Sequence, residues 1–186
     1  MQLRIDDIKE QGLELDYREA PEDFPALADL QEQGEASFQG PVLVSGRAQH
    51  LGELVEVEGQ VRVTATVPCS RCLEPVALPL AARFAVTFSK TPTAVTDEES
   101  GEEVELSAED LGLIPFSGDE IDLTEAIQEQ VVMALPLQPL CRLDCRGLCP
   151  QCGTDLNNET CQCEPEVFNG RFGKLKDLKI DRNGNG

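Results

Sequence analysis

The chain has 186 residues and a formal net charge of −20, with 40% hydrophobic and 27% charged residues. This size and composition are typical of one soluble globular domain with a small appendage. Only 4% of the residues are aromatic, which leaves few side chains on which nucleic-acid bases could stack. An acidic bulk also gains little from counterion release, so these totals argue against a protein that binds a phosphate backbone over its whole surface.

The charge is distributed unevenly along the chain. Residues 91–141 contain 13 acidic residues and no Lys or Arg, whereas residues 171–186 carry five of the 15 basic residues. A basic protein partner fits the acidic bulk, and RNA would have to be contacted through the C-terminal tail. The start, MQLRIDDIKEQ, lacks the pattern of a signal peptide, so we expect a cytoplasmic protein that has no membrane partner and keeps its thiols reduced.

The N-terminal half predicts a sheet. LRIDDI and LELDYREA favour short strands, and PEDFPALADLQEQGE favours a loop or a short helix. From Pro41 a period of two predicts an antiparallel meander of three or four strands, in VLVSGRAQ, ELVEVEGQVRVTATV and VALPLAARFAVTF. We expect turns at Gly46, at Gly59 and at CSRCLEP, and a buried face formed by Val61, Val63, Ala65 and Val67.

One helix follows an acidic stretch. Residues 89–110 predict a loop or partly disordered insertion, with one short strand in EEVEL. DLTEAIQEQVVMALP predicts a helix that ends at Pro136, with Asp122 and Glu125 as a capping box. Its core face comprises Leu123, Ile127, Val131 and Ala134. The predicted fold class is α+β, mostly antiparallel β-sheet with one main packed helix and a C-terminal zinc-binding module. The predicted domains are residues 1–137 and 138–186.

Eight cysteines carry the most specific signal. In CPQCG, Cys149 and Cys152 form a Cys-x-x-Cys turn, here called a knuckle, in which backbone N–H groups face the sulfurs and a glycine closes the turn. Cys161 and Cys163 are expected to complete this tetrahedral site. Cys69, Cys72, Cys141 and Cys145 predict a second site that joins the sheet to the C-terminal module.

Three alternatives to two zinc sites remain open. One metal ion could bind with Cys141 or Cys145 replacing a member of the C-terminal site. An even number of cysteines also permits disulfides, but a reduced compartment argues against them. Iron–sulfur ligation suits the knuckle form less well than zinc. The expected cofactor is therefore zinc, as one or two structural ions.

The sequence offers little support for catalysis. His50 is the single histidine, and its position far from the cysteines predicts a surface residue and not a ligand. The chain has neither the glycine-rich phosphate-binding loops nor a nucleophile elbow. A thiol-redox role would need a thioredoxin-like βαβ context around Cys-x-x-Cys, whereas these pairs lie among strands and turns. We therefore expect a protein that is not an enzyme.

Several segments in order resemble a known family. CSRCLEP after a strand pair, IDLTEAIQEQVVMALPLQPLC, DCRGLCPQCGTDLN…CQC and GRFGKLKDLK together resemble the YceD-type large ribosomal RNA subunit accumulation proteins of bacteria and plastids. The resemblance covers residues 41–180. It implies a non-enzymatic role in 23S rRNA accumulation or processing and in large-subunit assembly, with pre-large-subunit particles as partners.

Two other functions remain as alternatives at this point. One is a zinc-dependent protein-interaction module without a ribosomal role, and the other is a thiol redox protein. Under the ribosomal reading we expect a basic ribosomal protein as the direct partner, with rRNA contacted through the C-terminal tail.

Overall fold

The structure is a computed structural model that describes residues 1–90 and 112–163, together with the backbone of 95–96 and 103–104. Two 3₁₀ turns, Ile5–Asp7 and Pro21–Asp23, accompany the regular elements. The strands are β1 Gln2–Arg4, β2 Leu13–Glu19, β3 Ser37–Leu51, β4 Leu54–Pro68, β5 Pro75–Ser89, β6 Val95–Thr96, β7 Glu103–Val104, β8 Leu113–Pro115 and β9 Glu120–Asp122. The helices are α1 Pro25–Glu32 and α2 Thr124–Ala134.

The chain forms two compact units, Met1–Cys145 and Arg146–Gly186. The domain boundary expected at residue 137 stays a prediction. Neither α1 nor α2 is long and apolar enough to cross a membrane, and no other helix of the described residues is. The acidic insertion at 89–110 lies almost entirely outside the described residues, apart from the short β6–β7 ladder, and the tail beyond residue 163 lies outside them as well.

The main sheet has the strand order β2-β3-β4-β5-β8. β3, β4 and β5 form the antiparallel meander predicted from Pro41. β2 pairs antiparallel with β3 at one edge, and β8 adds to β5 in parallel. A separate short ladder pairs β1 with β9. The α+β class with a mostly antiparallel sheet is thus confirmed, with a second helix, α1, beside the expected α2.

The turns predicted at Gly46 and Gly59 are wrong. Both glycines lie inside long strands and face each other across the β3–β4 ladder. A Cβ at Gly46 would collide with the carbonyl oxygen of Glu58, so the backbones approach too closely there for any side chain. Phe84 pairs with Gly59 from β5 and covers the gap that the missing side chain leaves. The actual β3–β4 turn contains Gly52, whose φ is 65°.

The core lies between one face of the sheet and the two helices. Val61, Val63, Ala65 and Val67 are buried as predicted, and α2 buries Ile127 and Val131 against β4 and β5. The predicted capping box is wrong, because Leu123 occupies the N-cap position and Glu125 is therefore one residue too early. Asp122 still contributes, since its carboxylate accepts a hydrogen bond from the Thr124 N–H at 2.9 Å.

Candidate metal centres

The first knuckle is the connection between β4 and β5. Pro68 ends β4 and Pro75 begins β5, so the hairpin loop consists of the Cys69–Cys72 turn and two further residues. Leu73 N–H donates to the Cys69 carbonyl at 3.0 Å, and Cys69 N–H donates to the Glu74 carbonyl at 2.8 Å. These bonds turn the chain tightly and bring the two cysteines of the loop to one side.

The segment after α2 is pinned to this knuckle. Ser70 N–H donates to the Pro139 carbonyl at 2.8 Å, and the Arg71 guanidinium donates to the Cys145 carbonyl at 2.7 Å. Cys141 N–H points at the Cys69 sulfur, with N and Sγ 3.4 Å apart. A backbone N–H aimed at sulfur stabilises the thiolate form that binds metal.

Four sulfurs therefore converge in a group that we call the first quartet: Cys69, Cys72, Cys141 and Cys145. The Cys69 and Cys145 sulfurs are 3.9 Å apart, and those of Cys72 and Cys141 are 3.6 Å apart. A tetrahedral zinc with Zn–S bonds of about 2.3 Å requires sulfurs about 3.8 Å apart, so the spacing fits. Three members are buried and Cys141 is exposed.

The second quartet comprises Cys149, Cys152, Cys161 and Cys163. Its knuckle has the same two backbone hydrogen bonds as the first. Gly153 N–H donates to the Cys149 carbonyl at 2.9 Å, and Cys149 N–H donates to the Thr154 carbonyl at 2.8 Å. The Asp155 carboxylate accepts from the backbone N–H of Asn157 at 2.9 Å, which fixes the turn that leads back to Cys161. All four sulfurs lie within 4.8 Å of one another.

The residue after each knuckle adopts the left-handed conformation, with φ of 65° at Leu73 and 74° at Gly153. Glycine occupies this region without strain, whereas a leucine side chain is crowded by its own backbone. Leu73 has the one positive φ among the described non-glycine residues, and its side chain is 64% exposed. The positive φ at Gly153 agrees with the glycine predicted to close the knuckle, whereas the sequence predicts no positive φ at Leu73.

The sulfurs differ in how readily they ionise. Backbone N–H groups, first that of Arg71, lower the pKa of the Cys69 thiol to about 6. The Thr154 hydroxyl, 3.2 Å away, lowers the pKa of Cys152 to about 6. Burial raises the pKa of Cys141 to about 12, and hydrogen bonding with Cys152 together with burial raises that of Cys163 to about 12. Four adjacent thiolates repel one another, so full ionisation of either quartet requires a bound cation.

The structure brings the eight cysteines together in the two groups of four that the spacing indicated; that they bind metal stays a prediction. Neither quartet includes a histidine or carboxylate, and the described residues contain no third cluster of this kind. His50 is exposed on β3 opposite Val55 and belongs to neither quartet. The sulfur-only sets suit zinc, with all four positions filled by protein.

Residues 57–179 match the family model described as large ribosomal RNA subunit accumulation protein YceD. The match covers more than half of the chain and spans both quartets. The chain belongs to the YceD family. The family predicted from the order of the sequence segments is thereby confirmed.

Relatives of this YceD family member come from bacteria and plants. An uncharacterized protein of Mycobacterium tuberculosis is 33% identical over 136 residues, which is 71% of this chain and 59% of that protein. Chloroplastic large ribosomal RNA subunit accumulation protein YCED homolog 1 is 26% identical over 156 residues in Arabidopsis thaliana, covering 75% of this chain and 49% of that protein. The homologue from Zea mays is 26% identical over 149 residues, covering 70% and 51%. No solved structure matches the chain significantly.

The chain spans between about half and three fifths of the length of these curated relatives.

Proposed function

We propose that this protein is a non-enzymatic factor in large-subunit assembly that supports the accumulation and processing of 23S rRNA in the cytoplasm. The observation that carries the proposal is the family match over residues 57–179. The names of the two chloroplastic relatives support it, since both refer to large ribosomal RNA subunit accumulation.

Both quartets are proposed to bind one structural zinc ion each. Zinc would supply the positive charge that allows four clustered sulfurs to be ionised together. In the first quartet, Cys69 and Cys72 would hold the β4–β5 hairpin, and Cys141 and Cys145 would hold the segment after α2. A centre with four protein ligands leaves no open position for a substrate, which supports a role in shaping a binding surface and not in catalysis.

The direct partner is proposed to be a basic ribosomal protein within a pre-large-subunit particle. Residues 91–141 contribute 13 acidic side chains and no basic ones, which repel phosphates and attract a basic protein surface. The basic tail, with Lys174, Lys176 and Lys179, is proposed to contact rRNA.

Sedimentation tests the function directly. Cells are lysed, particles are separated on sucrose gradients, and the tagged protein is followed by immunoblot while 23S and 16S rRNA are quantified in depleted cells. We expect the protein in the pre-large-subunit fractions, and depletion should lower 23S rRNA relative to 16S. A zinc-loaded protein that stays at the top of the gradient, with unchanged rRNA levels, would favour the interaction module without a ribosomal role. Disulfide turnover by a zinc-free protein would favour the redox alternative.

A further inference from the structure

The first knuckle carries a leucine where the second carries a glycine. Both positions donate the same hydrogen bond to the carbonyl of the first cysteine and have the same left-handed φ. Leu73 is nevertheless 64% exposed, so core packing does not explain a strained leucine at this position. A side chain that is costly for the fold and projects into solvent indicates a contact outside the molecule.

An apolar groove lies beside this leucine. It has a volume of about 320 Å³ and is lined by side chains from three segments: Leu30 on α1, Val67 and Leu73 around the end of β4, and Leu135, Pro136 and Pro139 after α2. Leu143, between Cys141 and Cys145 of the first quartet, is 93% exposed. Two backbone groups at the groove already satisfy each other, because Ser70 N–H donates to the Pro139 carbonyl. Because most of its lining residues are apolar, the groove is suited to apolar side chains.

Acidic residues predominate in the chain segments that form the groove. Glu35 is the charged residue of the lining, and residues 19–46, which include α1, contain six acidic residues and no Lys or Arg. Residues 135–141, which follow α2 and supply the other lining side chains, contain no Lys or Arg. The two nearby arginines are engaged, since Arg71 donates to the Cys145 carbonyl and Arg142 forms an ion pair with Asp144 at 3.7 Å. An apolar floor with an acidic surround is complementary to a basic segment that presents apolar anchors.

We propose that this groove, with Leu73 at its edge, docks a basic amphipathic segment of a protein partner. An RNA backbone fits it poorly, because phosphates gain nothing from apolar walls and are repelled by the acidic surround. This inference rests on the proposed function only for the identity of the partner as a ribosomal protein. The docking surface itself follows from the groove, its charge and the strained leucine.

The test uses full-length, zinc-loaded protein and a short synthetic amphipathic helix with leucines on one face and lysines on the other. Binding is measured by fluorescence anisotropy of the labelled peptide. Leu73→Gly removes the exposed side chain and keeps the backbone conformation, so the unfolding midpoint should be unchanged or higher. Burial of a leucine side chain corresponds to a loss of affinity of about tenfold or more when it is removed. Leu73→Met keeps an apolar side chain and should retain most of the binding.

Leu51 provides the matched control, because it is also a partly exposed leucine and lies at the β3–β4 turn. Leu51→Gly should leave peptide affinity unchanged. A counterpart peptide with glutamates replacing the lysines should bind at least about tenfold more weakly, because the acidic surround repels it. Equal affinity of wild type and Leu73→Gly for the lysine peptide would overturn the proposal, and so would equal binding of both peptides. A tenfold loss of naked 23S rRNA binding in Leu73→Gly, without loss of peptide binding, would assign the groove to RNA instead.

Gradients separate this inference from the proposed function. Co-sedimentation of the wild type with pre-large-subunit particles tests the function, whereas the comparison with Leu73→Gly in the same gradients tests the groove. Loss of Leu73→Gly from those fractions, with Leu51→Gly retained, supports the groove as the particle-binding surface. Retention of Leu73→Gly would refute its use in the particle and leave the function standing. A wild type that stays at the top would reject the function, and the peptide titration would still decide the docking surface.

Discussion

The two quartets should contribute to different parts of the fold, and one substitution in each separates them. Cys141 and Cys152 are both exposed, so replacing either with serine removes a ligand without leaving a buried cavity. Cys141→Ser opens a link between the β4–β5 hairpin and the segment after α2. Cys152→Ser opens a link inside the second unit, Arg146–Gly186. We expect the first to destabilise the main sheet and the second to leave it unchanged.

The magnitude follows from loop closure. Cys72 and Cys141 are 69 positions apart, and a cross-link over that distance restricts the unfolded chain by about 4 kcal/mol at 25 °C. Typical unfolding free energies are about 5–15 kcal/mol, so this contribution is a large share of the total. Positions 152 and 161 are nine apart, and the corresponding value for the second unit is about 2.5 kcal/mol. A loss of about 4 kcal/mol corresponds to a fall in Tm of about 10–20 °C for a unit of this size.

Thermal unfolding of zinc-loaded protein, followed by far-ultraviolet circular dichroism at the β-sheet signal, provides the assay. Wild type, Cys141→Ser and Cys152→Ser are compared in reducing buffer, with and without a chelator. The main transition should fall by about 10 °C or more in Cys141→Ser and in chelated wild type, and should stay in place in Cys152→Ser. Equal shifts in the two variants, or a main transition that does not respond to chelation, would refute the assignment of the first quartet to the core.

Three further outcomes are expected. Protein purified in reducing buffer should contain two zinc ions per chain by elemental mass spectrometry, and zinc-free protein with four disulfides would contradict this. Zinc affinity should fall as the pH is lowered, because the metal binds thiolates and must displace protons that Cys141 and Cys163 hold with pKa values of about 12. Release of zinc to a chromophoric chelator during a pH titration measures this affinity, and an affinity independent of pH would contradict the prediction. Gly153→Leu should destabilise the second unit by about 1–2 kcal/mol through its left-handed φ alone, since nothing lies within 4 Å of an added Cβ. In chelator competition it should weaken zinc retention by the second quartet, whereas Leu73→Gly at the equivalent position should not weaken retention by the first. Equal effects of the two substitutions would show that φ does not matter at this position.

The strands and the cysteine groups could be predicted because their patterns are local. Alternation of apolar residues along β4 indicated which face is buried, and Cys-x-x-Cys spacing specifies a metal-ligand turn irrespective of the rest of the fold. Contact between the β4–β5 hairpin and the segment after α2 could be predicted from the number of cysteines. Once the C-terminal site has its four ligands, the two remaining cysteine pairs are enough for one further tetrahedral site.

The errors have physical causes of their own. The sequence predicts turns at Gly46 and Gly59 because a glycine that allows a close backbone approach looks the same in sequence as a glycine in a turn. Only the register of β3 and β4 shows that the two glycines oppose each other. The three-residue strands β1, β8 and β9 are too short to show a period, so their pairing could not be anticipated.

Leu73 was missed for a different reason. A single copy of a motif gives no sign of a positive φ at a non-glycine residue. Alignment of the two knuckles, however, shows PCSRCLE beside LCPQCGT, with leucine where glycine is expected. Comparison of a motif with its own second copy in the chain would therefore have identified the residue. When one of two similar motifs carries a residue that its backbone conformation disfavours, as Leu73 does, that residue is a candidate for a function at the surface.

Because of where the groove lies, binding of a partner peptide should depend on the first quartet and not on the second. Its walls come from the end of β4, the knuckle and the segment after α2, and Cys69 of the first quartet contributes to the lining. Cys141→Ser should therefore release the segment that supplies Leu135, Pro136 and Pro139, and abolish binding of the lysine–leucine peptide. Cys152→Ser lies in the other unit and should leave that binding unchanged. Peptide titrations of the two variants below their unfolding temperatures measure the difference. Equal loss in both would mean that the second quartet also shapes the docking surface, whereas retention in Cys141→Ser would show that the groove forms without the metal.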